Sequence, residues 1–61
     1  MPNAHLLALA DALEEEAAAA DYLGGLAVGT GDEDKVQSCR EDAATMRRWA
    51  ELNRTISASQ E

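Results

Sequence analysis

Aromatic side chains are nearly missing from this chain of 61 residues, which has no phenylalanine, one tryptophan and one tyrosine. A core built on stacked rings is therefore excluded. The single cysteine, Cys39, rules out a disulfide within one chain and any intrachain thiolate cluster for zinc. The single proline stands at position 2, so nothing of that kind interrupts a helix further along. No lysine or arginine precedes Lys35. The first residues thus lack the basic region of a secretory signal, and a cytoplasmic location is expected. Apolar runs are only a few residues long, and no membrane-spanning segment is expected.

Basic residues are scarce overall. Residues 1–34 carry eight acids and no Lys or Arg, whereas residues 35–61 carry five basic and four acidic residues, for a net charge of −7. Phosphate neutralisation carries most nucleic-acid affinity, so direct nucleic-acid binding is not expected. Attraction to anionic lipid is disfavoured for the same reason.

What the chain does have is alanine, thirteen residues of it, together with apolar residues at helical spacing. Asn3 is suited to cap a first helix over about residues 4–23. Leu6, Leu9, Leu13, Ala17, Ala20 and Leu23 recur at steps of three or four and form its apolar stripe, widened by Leu7 and Ala10. Gly24 fits the left-handed position after a helix end, and the four glycines at 24, 25, 29 and 31 predict a turn over 24–31. Their spacing matches neither GxGxxG nor GxxxxGK[ST], which argues against a phosphate loop. A second helix is predicted over about 31–56. Thr30 with Glu33 has capping-box spacing, and Asp34 with Gln37 offers a competing start. Its inner stripe is Val36, Cys39, Ala43, Met46, Ala50 and Asn53. A second series of Met46, Trp49, Leu52 and Ile56 leaves an extra apolar sector. Residues 57–61 read as a short, frayed polar tail.

The fold class expected is all-α, with residues 1–61 forming one antiparallel two-helix hairpin that dimerises into a four-helix bundle. Folding at the centre of the glycine segment would place Leu6 beside Trp49, Leu13 beside Asp42 or Ala43, and Glu14–Glu16 near Arg40. A single hairpin buries one face of each helix, and few large apolar residues are available. Stability is therefore expected to come from partners, from a second copy, or from both.

No set of residues has catalytic spacing. Asp11, Glu14, Glu15, Glu16 and Asp21 lie on a helix that has no concave site to perturb their pKa values. His5 has no partner histidine or Glu-x-x-His pattern, so neither metal nor cofactor is expected. Cys39 falls on the inner stripe and reads as a small core filler. Asn53-Arg54-Thr55 matches the glycosylation triplet without a secretory context. Arg47, Arg48 and Trp49, with Leu52 and Ile56, are the candidate protein interface, since Trp and Arg are frequent hot spots. Asp11, Glu14, Glu15, Glu16, Asp21, Asp32, Glu33 and Asp34 are the candidate acidic recognition surface.

The leading expectation is a small non-enzymatic regulatory or adaptor protein that binds a protein target through a helical surface. One alternative is an acidic nucleic-acid mimic that inhibits a DNA- or RNA-binding protein. The other is a structural subunit of a homo-oligomer.

Overall fold

A computed structural model describes residues 3–60, which form two α-helices, α1 over Ala4–Thr30 and α2 over Glu33–Ser59. They pack antiparallel as a hairpin about 47 Å long and 13 × 9 Å across. The all-α hairpin architecture expected from the periodicity is present.

The α1 start is the one the sequence indicates. The Asn3 side chain accepts hydrogen bonds from the backbone N–H groups of His5 (3.0 Å) and Leu6 (3.3 Å), satisfying two of the donors that a helix start leaves free. The end of α1 corrects the expectation. The helix does not stop near Leu23, and residues 24–30 are helical. Only Gly31 has a positive φ, at 77°. Its N–H donates to the Val28 carbonyl, and the Asp32 N–H donates to the Ala27 carbonyl. This is the Schellman arrangement, with Gly31 taking the left-handed position assigned above to Gly24.

Asp32 then caps α2, its carboxylate accepting from the Lys35 N–H at 3.1 Å. Neither capping start predicted above is used. Thr30 is the last residue of α1, and its hydroxyl donates to the Ala27 carbonyl at 2.9 Å. The connection is thus two residues, Gly31 and Asp32, each closing one helix end. Glu33 and Asp34 occupy the first turn of α2, where carboxylates favour the positive end of the helix dipole.

Moving the turn toward the C-terminus moves the register. Gly24 sits against Cys39, and Asn3 bonds to Gln60. Residues whose numbers add to about 63 therefore lie level with one another. Leu6 lies level with Ser57, not Trp49, and Leu13 with Ala50, not Asp42 or Ala43. Glu14 reaches Arg54, not Arg40.

The seam follows a strict three–four alternation. On α1 it runs Asn3, Leu6, Ala10, Leu13, Ala17, Ala20, Gly24, Ala27, and on α2 Val36, Cys39, Ala43, Met46, Ala50, Asn53, Ser57. All of these residues are buried or half-buried. This is the a/d repeat of an antiparallel coiled coil. The fully buried positions are small, namely Ala10, Ala17, Ala43, Ala50 and Ser57, with Met46 packed on the Ala17–Ala20–Ala43 cluster. Side chains of this size let two helix axes approach toward the lower end of the ~8–10 Å range. A β-carbon added at Gly24 would lie 3.2 Å from the Cys39 Cβ.

The inner stripe predicted for α2 is the observed one. On α1, Leu9 and Leu23 are exposed, and Ala10 and Gly24 take their places in the seam. The C-terminal residues also depart from the expected frayed tail, because α2 continues to Ser59. Ser57 is 1% exposed; its hydroxyl accepts from the Asn3 N–H at 2.9 Å and donates to the Asn3 carbonyl at 3.3 Å. Asn3 thus caps α1 and clasps the open end of the hairpin. The part of the tail prediction that concerns Glu61 lies outside the described residues.

Candidate protein-interaction face

Ion pairs define the two sides of the hairpin. In heptad terms Glu14 and Asp21 occupy e positions of α1, and Arg40, Arg47 and Arg54 occupy e positions of α2. Antiparallel coiled coils set these edges together. Arg47 pairs with Asp21. Arg54 forks to Glu14 at 2.8 Å and to Asp11 at 3.2 Å. The hydrogen bond from Arg54, reinforced by its charge, holds the Glu14 carboxyl below the usual carboxylate range. The hydrogen bond from Arg47 does the same for Asp21, opposed by desolvation and aided by the Arg47 charge. Both arginines are correspondingly raised by these bonds. Arg40 comes next in the same row. It lines a groove with Val28, Val36 and Gln37 near the turn.

The other side has different chemistry. The g and c positions of the two helices lie opposite the arginine edge. They hold Leu9, Leu23 and Leu26 from α1 and Trp49, Leu52 and Ile56 from α2, six of the nine large apolar side chains left exposed. Trp49 is 54% exposed. Both helices border this side near the turn, where Leu23, Leu26, Ala27, Thr30, Asp32 and Lys35 line a shallow groove. Only Glu16, Lys35 and Asp42 bring charge to these positions. The opposite side carries Asp11, Glu14, Asp21, Arg40, Arg47, Glu51 and Arg54. The hairpin is therefore a thin plate with one salt-bridged side and one apolar side.

This geometry divides the predicted interface. Trp49, Leu52 and Ile56 share the apolar side. Arg47 belongs to the arginine edge, bound to Asp21. Arg48 points away from α1 and lines an outer groove with Glu51, Leu52 and Thr55. Contiguous residues fan around a helix by about 100° each, so Arg47-Arg48-Trp49 is not one patch. The predicted acidic surface is divided as well. Asp11, Glu14 and Asp21 face arginines; Glu15 sits on the back of α1; Glu16 borders the apolar side; Asp32, Glu33 and Asp34 lie at the turn. Leu9 and Leu23 were missed as surface residues because a helical stripe alone does not reveal which of two adjacent apolar rows is buried, and Leu26 was placed in the turn instead of on a helix face. The alanine and glycine row at 10, 17, 20, 24 and 27 was the available signal.

His5 is exposed in the first turn of α1, and Cys39 is buried in the seam. Among the described residues no group of three His, Cys, Asp or Glu side chains is placed to hold a metal ion. Among them, too, no helix is long and apolar enough to cross a membrane. Comparison with protein-family models, with curated proteins and with solved structures finds nothing that matches this chain.

Proposed function

We propose that this chain is a small non-enzymatic interaction protein, a regulatory or adaptor hairpin that engages a helical protein surface through its apolar side. One observation carries the reading. The buried positions of the seam are alanine, glycine, cysteine and serine, with Leu6, Leu13, Val36 and Met46 half-buried beside them, whereas Leu9, Leu23, Leu26, Trp49, Leu52 and Ile56 lie in the open on one side. An apolar patch of this extent marks an interaction site in a small water-soluble fold. The side's low charge and its central tryptophan suit the desolvated middle of an interface. The nucleic-acid-mimic alternative needs an extended negative field, and the scatter of the acids with three of them beside arginines does not support one.

Trp49 is the only tryptophan, so its emission reports on this side directly. Adding a partner purified with the chain from its host cells should shift the emission to shorter wavelength. Leu52→Asp and Ile56→Asp should abolish the shift and the complex, whereas Arg48→Glu should leave both intact. A complex that survives the two aspartates but is lost with Arg48→Glu would move recognition to the back of α2 and overturn the reading.

A further inference from the structure

Resting on that reading, we infer that the partner of the apolar side is a second copy of this chain, stacked face to face about a twofold axis along the hairpin, with both turns at the same end. The exposed fractions of the six large side chains correspond to on the order of 500 Å2 per hairpin, or roughly 1,000 Å2 across a twofold interface. Specific interfaces begin at about that size.

The spacing of the acids on the apolar side selects the axis. Along the chosen axis, α1 of one copy lies on α2 of the other, and residues at equal height meet. In the half toward the open end, Leu52 of α2 comes level with Ala12 and Leu9 of the second copy's α1, and Trp49 comes between Ala12 and Glu16. Near the turn, Leu26 of α1 comes level with Ser38 of the second copy's α2, flanked by the aliphatic stem of Lys35, and Leu23 comes between Ser38 and Asp42. Each large cluster is thus offered a small residue, and Trp49 and Leu23 each border one carboxylate at the cluster's edge. A twofold axis across the helices through the middle of the hairpin would instead bring Glu16 close to its own copy. With the axis along the hairpin, the nearest acids from different copies, Glu16 and Asp42, are about five residues apart in height, or ~7.5 Å. The four helices then alternate in direction around one core, the arrangement of an up-down bundle.

Sedimentation equilibrium over a wide concentration range, with nitroxide distance measurements, tests this. The intact chain should sediment as a dimer, and Trp49→Ala should weaken the dimer at least tenfold. Since Trp49→Ala could lower helicity as well, the distance measurement keeps the apolar side native: Asp34→Cys in a Cys39→Ala background places one label near each turn. Turns at the same end put the two labels within roughly 30 Å, whereas opposed hairpins 47 Å long would put them beyond that. A helical chain that remains monomeric throughout overturns the inference, and so does a dimer with distant labels. A monomer that still binds a different protein through Leu52 and Ile56 would leave the proposed function standing and remove only this inference. A dimer with close labels whose target binds elsewhere would do the reverse.

Discussion

Replacing the glycines of α1 one at a time separates a helix from a turn over residues 24–30. Gly25 and Gly29 are helical, and an added β-carbon at either meets nothing within 4 Å. Glycine in a helix interior costs about 0.5–1 kcal/mol relative to alanine, so Gly25→Ala and Gly29→Ala should each stabilise the hairpin by that amount. Together they should contribute about 1–2 kcal/mol, and each kcal/mol raises the melting temperature of a domain this small by about 4–8 °C. Gly24→Ala has the same propensity gain, but its Cβ meets the Cys39 Cβ at 3.2 Å. Neither atom can rotate away, so the helices must part slightly along an alanine seam. Overpacking of this kind costs about 1–3 kcal/mol, which places Gly24→Ala at least 1 kcal/mol below its two neighbours. Gly31→Ala should destabilise by about 1 kcal/mol or more, because φ there is 77°. Urea and thermal melts followed by circular dichroism, all at one protein concentration, give the four values. Destabilisation by both Gly25→Ala and Gly29→Ala would refute the reasoning, since it would show that these positions do not hold helical dihedrals.

Further predictions concern the clasp and the arginine edge. Ser57→Ala leaves the half-buried Asn3 N–H without its partner and should cost about 1 kcal/mol, measured by urea denaturation. Asn3→Ala removes the α1 cap and should cost ~1 kcal/mol, with fraying visible as faster amide exchange at His5 and Leu6. Glu14 and Asp21 have lowered folded pKa values, so their contribution is present above the unfolded values and is lost as the pH falls through the folded ones. The urea midpoint should therefore fall as the pH drops below the ordinary carboxylate values of 4.5 and 3.8, and the fall should be smaller in an Arg47→Gln/Arg54→Gln variant. An identical acid response in both proteins would show that the pairs contribute nothing to folding. Because both pairs are exposed, 0.5 M salt should weaken the same contribution at neutral pH.

The hairpin, the cap at Asn3 and the inner stripe of α2 were legible in the sequence because each rests on a local rule: periodicity, a side-chain acceptor before a helix, and steps of three and four. The turn was not legible. Four glycines in eight residues look alike in sequence but hold three different places in the structure: a close approach at Gly24, open helix surface at Gly25 and Gly29, and the left-handed bend at Gly31. Intrinsic propensity argues against helix at 24–29, and the packing of Gly24 and Ala27 across the seam overrides it. Once the turn is misplaced, every cross-helix pairing follows it. Arg54 rather than Arg40 becomes the partner of Glu14, and Ser57, one step of four beyond Asn53 on the inner stripe, becomes a buried clasp for Asn3, a partner that the misplaced turn had put out of its reach. The apolar side was half legible: Trp49, Leu52 and Ile56 could be seen as an extra sector on α2. Finding Leu9 and Leu23 required taking the small-residue row at 10, 17, 20, 24 and 27 as the inner one, and finding Leu26 required moving the turn to Gly31.

A seam of small residues also sets how the fold is stabilised. Alanine side chains bring the helices close but remove little apolar area from water, and the exposed ion pairs add at most a small amount. Most of the large apolar surface is on the outside, so a second copy would supply the burial that the seam does not, and folding and association would be coupled. For such a dimer the unfolding midpoint must depend on concentration, with each tenfold dilution lowering the apparent stability by about 1.4 kcal/mol. Thermal melts between about 5 and 500 µM would show this as a steady rise in midpoint, and Trp49→Ala should flatten the rise within the accessible range. A midpoint independent of concentration, in a chain that stays fully helical at the lowest value, would mean that the alanine seam alone holds the hairpin. The apolar side would then be free surface, and its six large residues would have no part in folding.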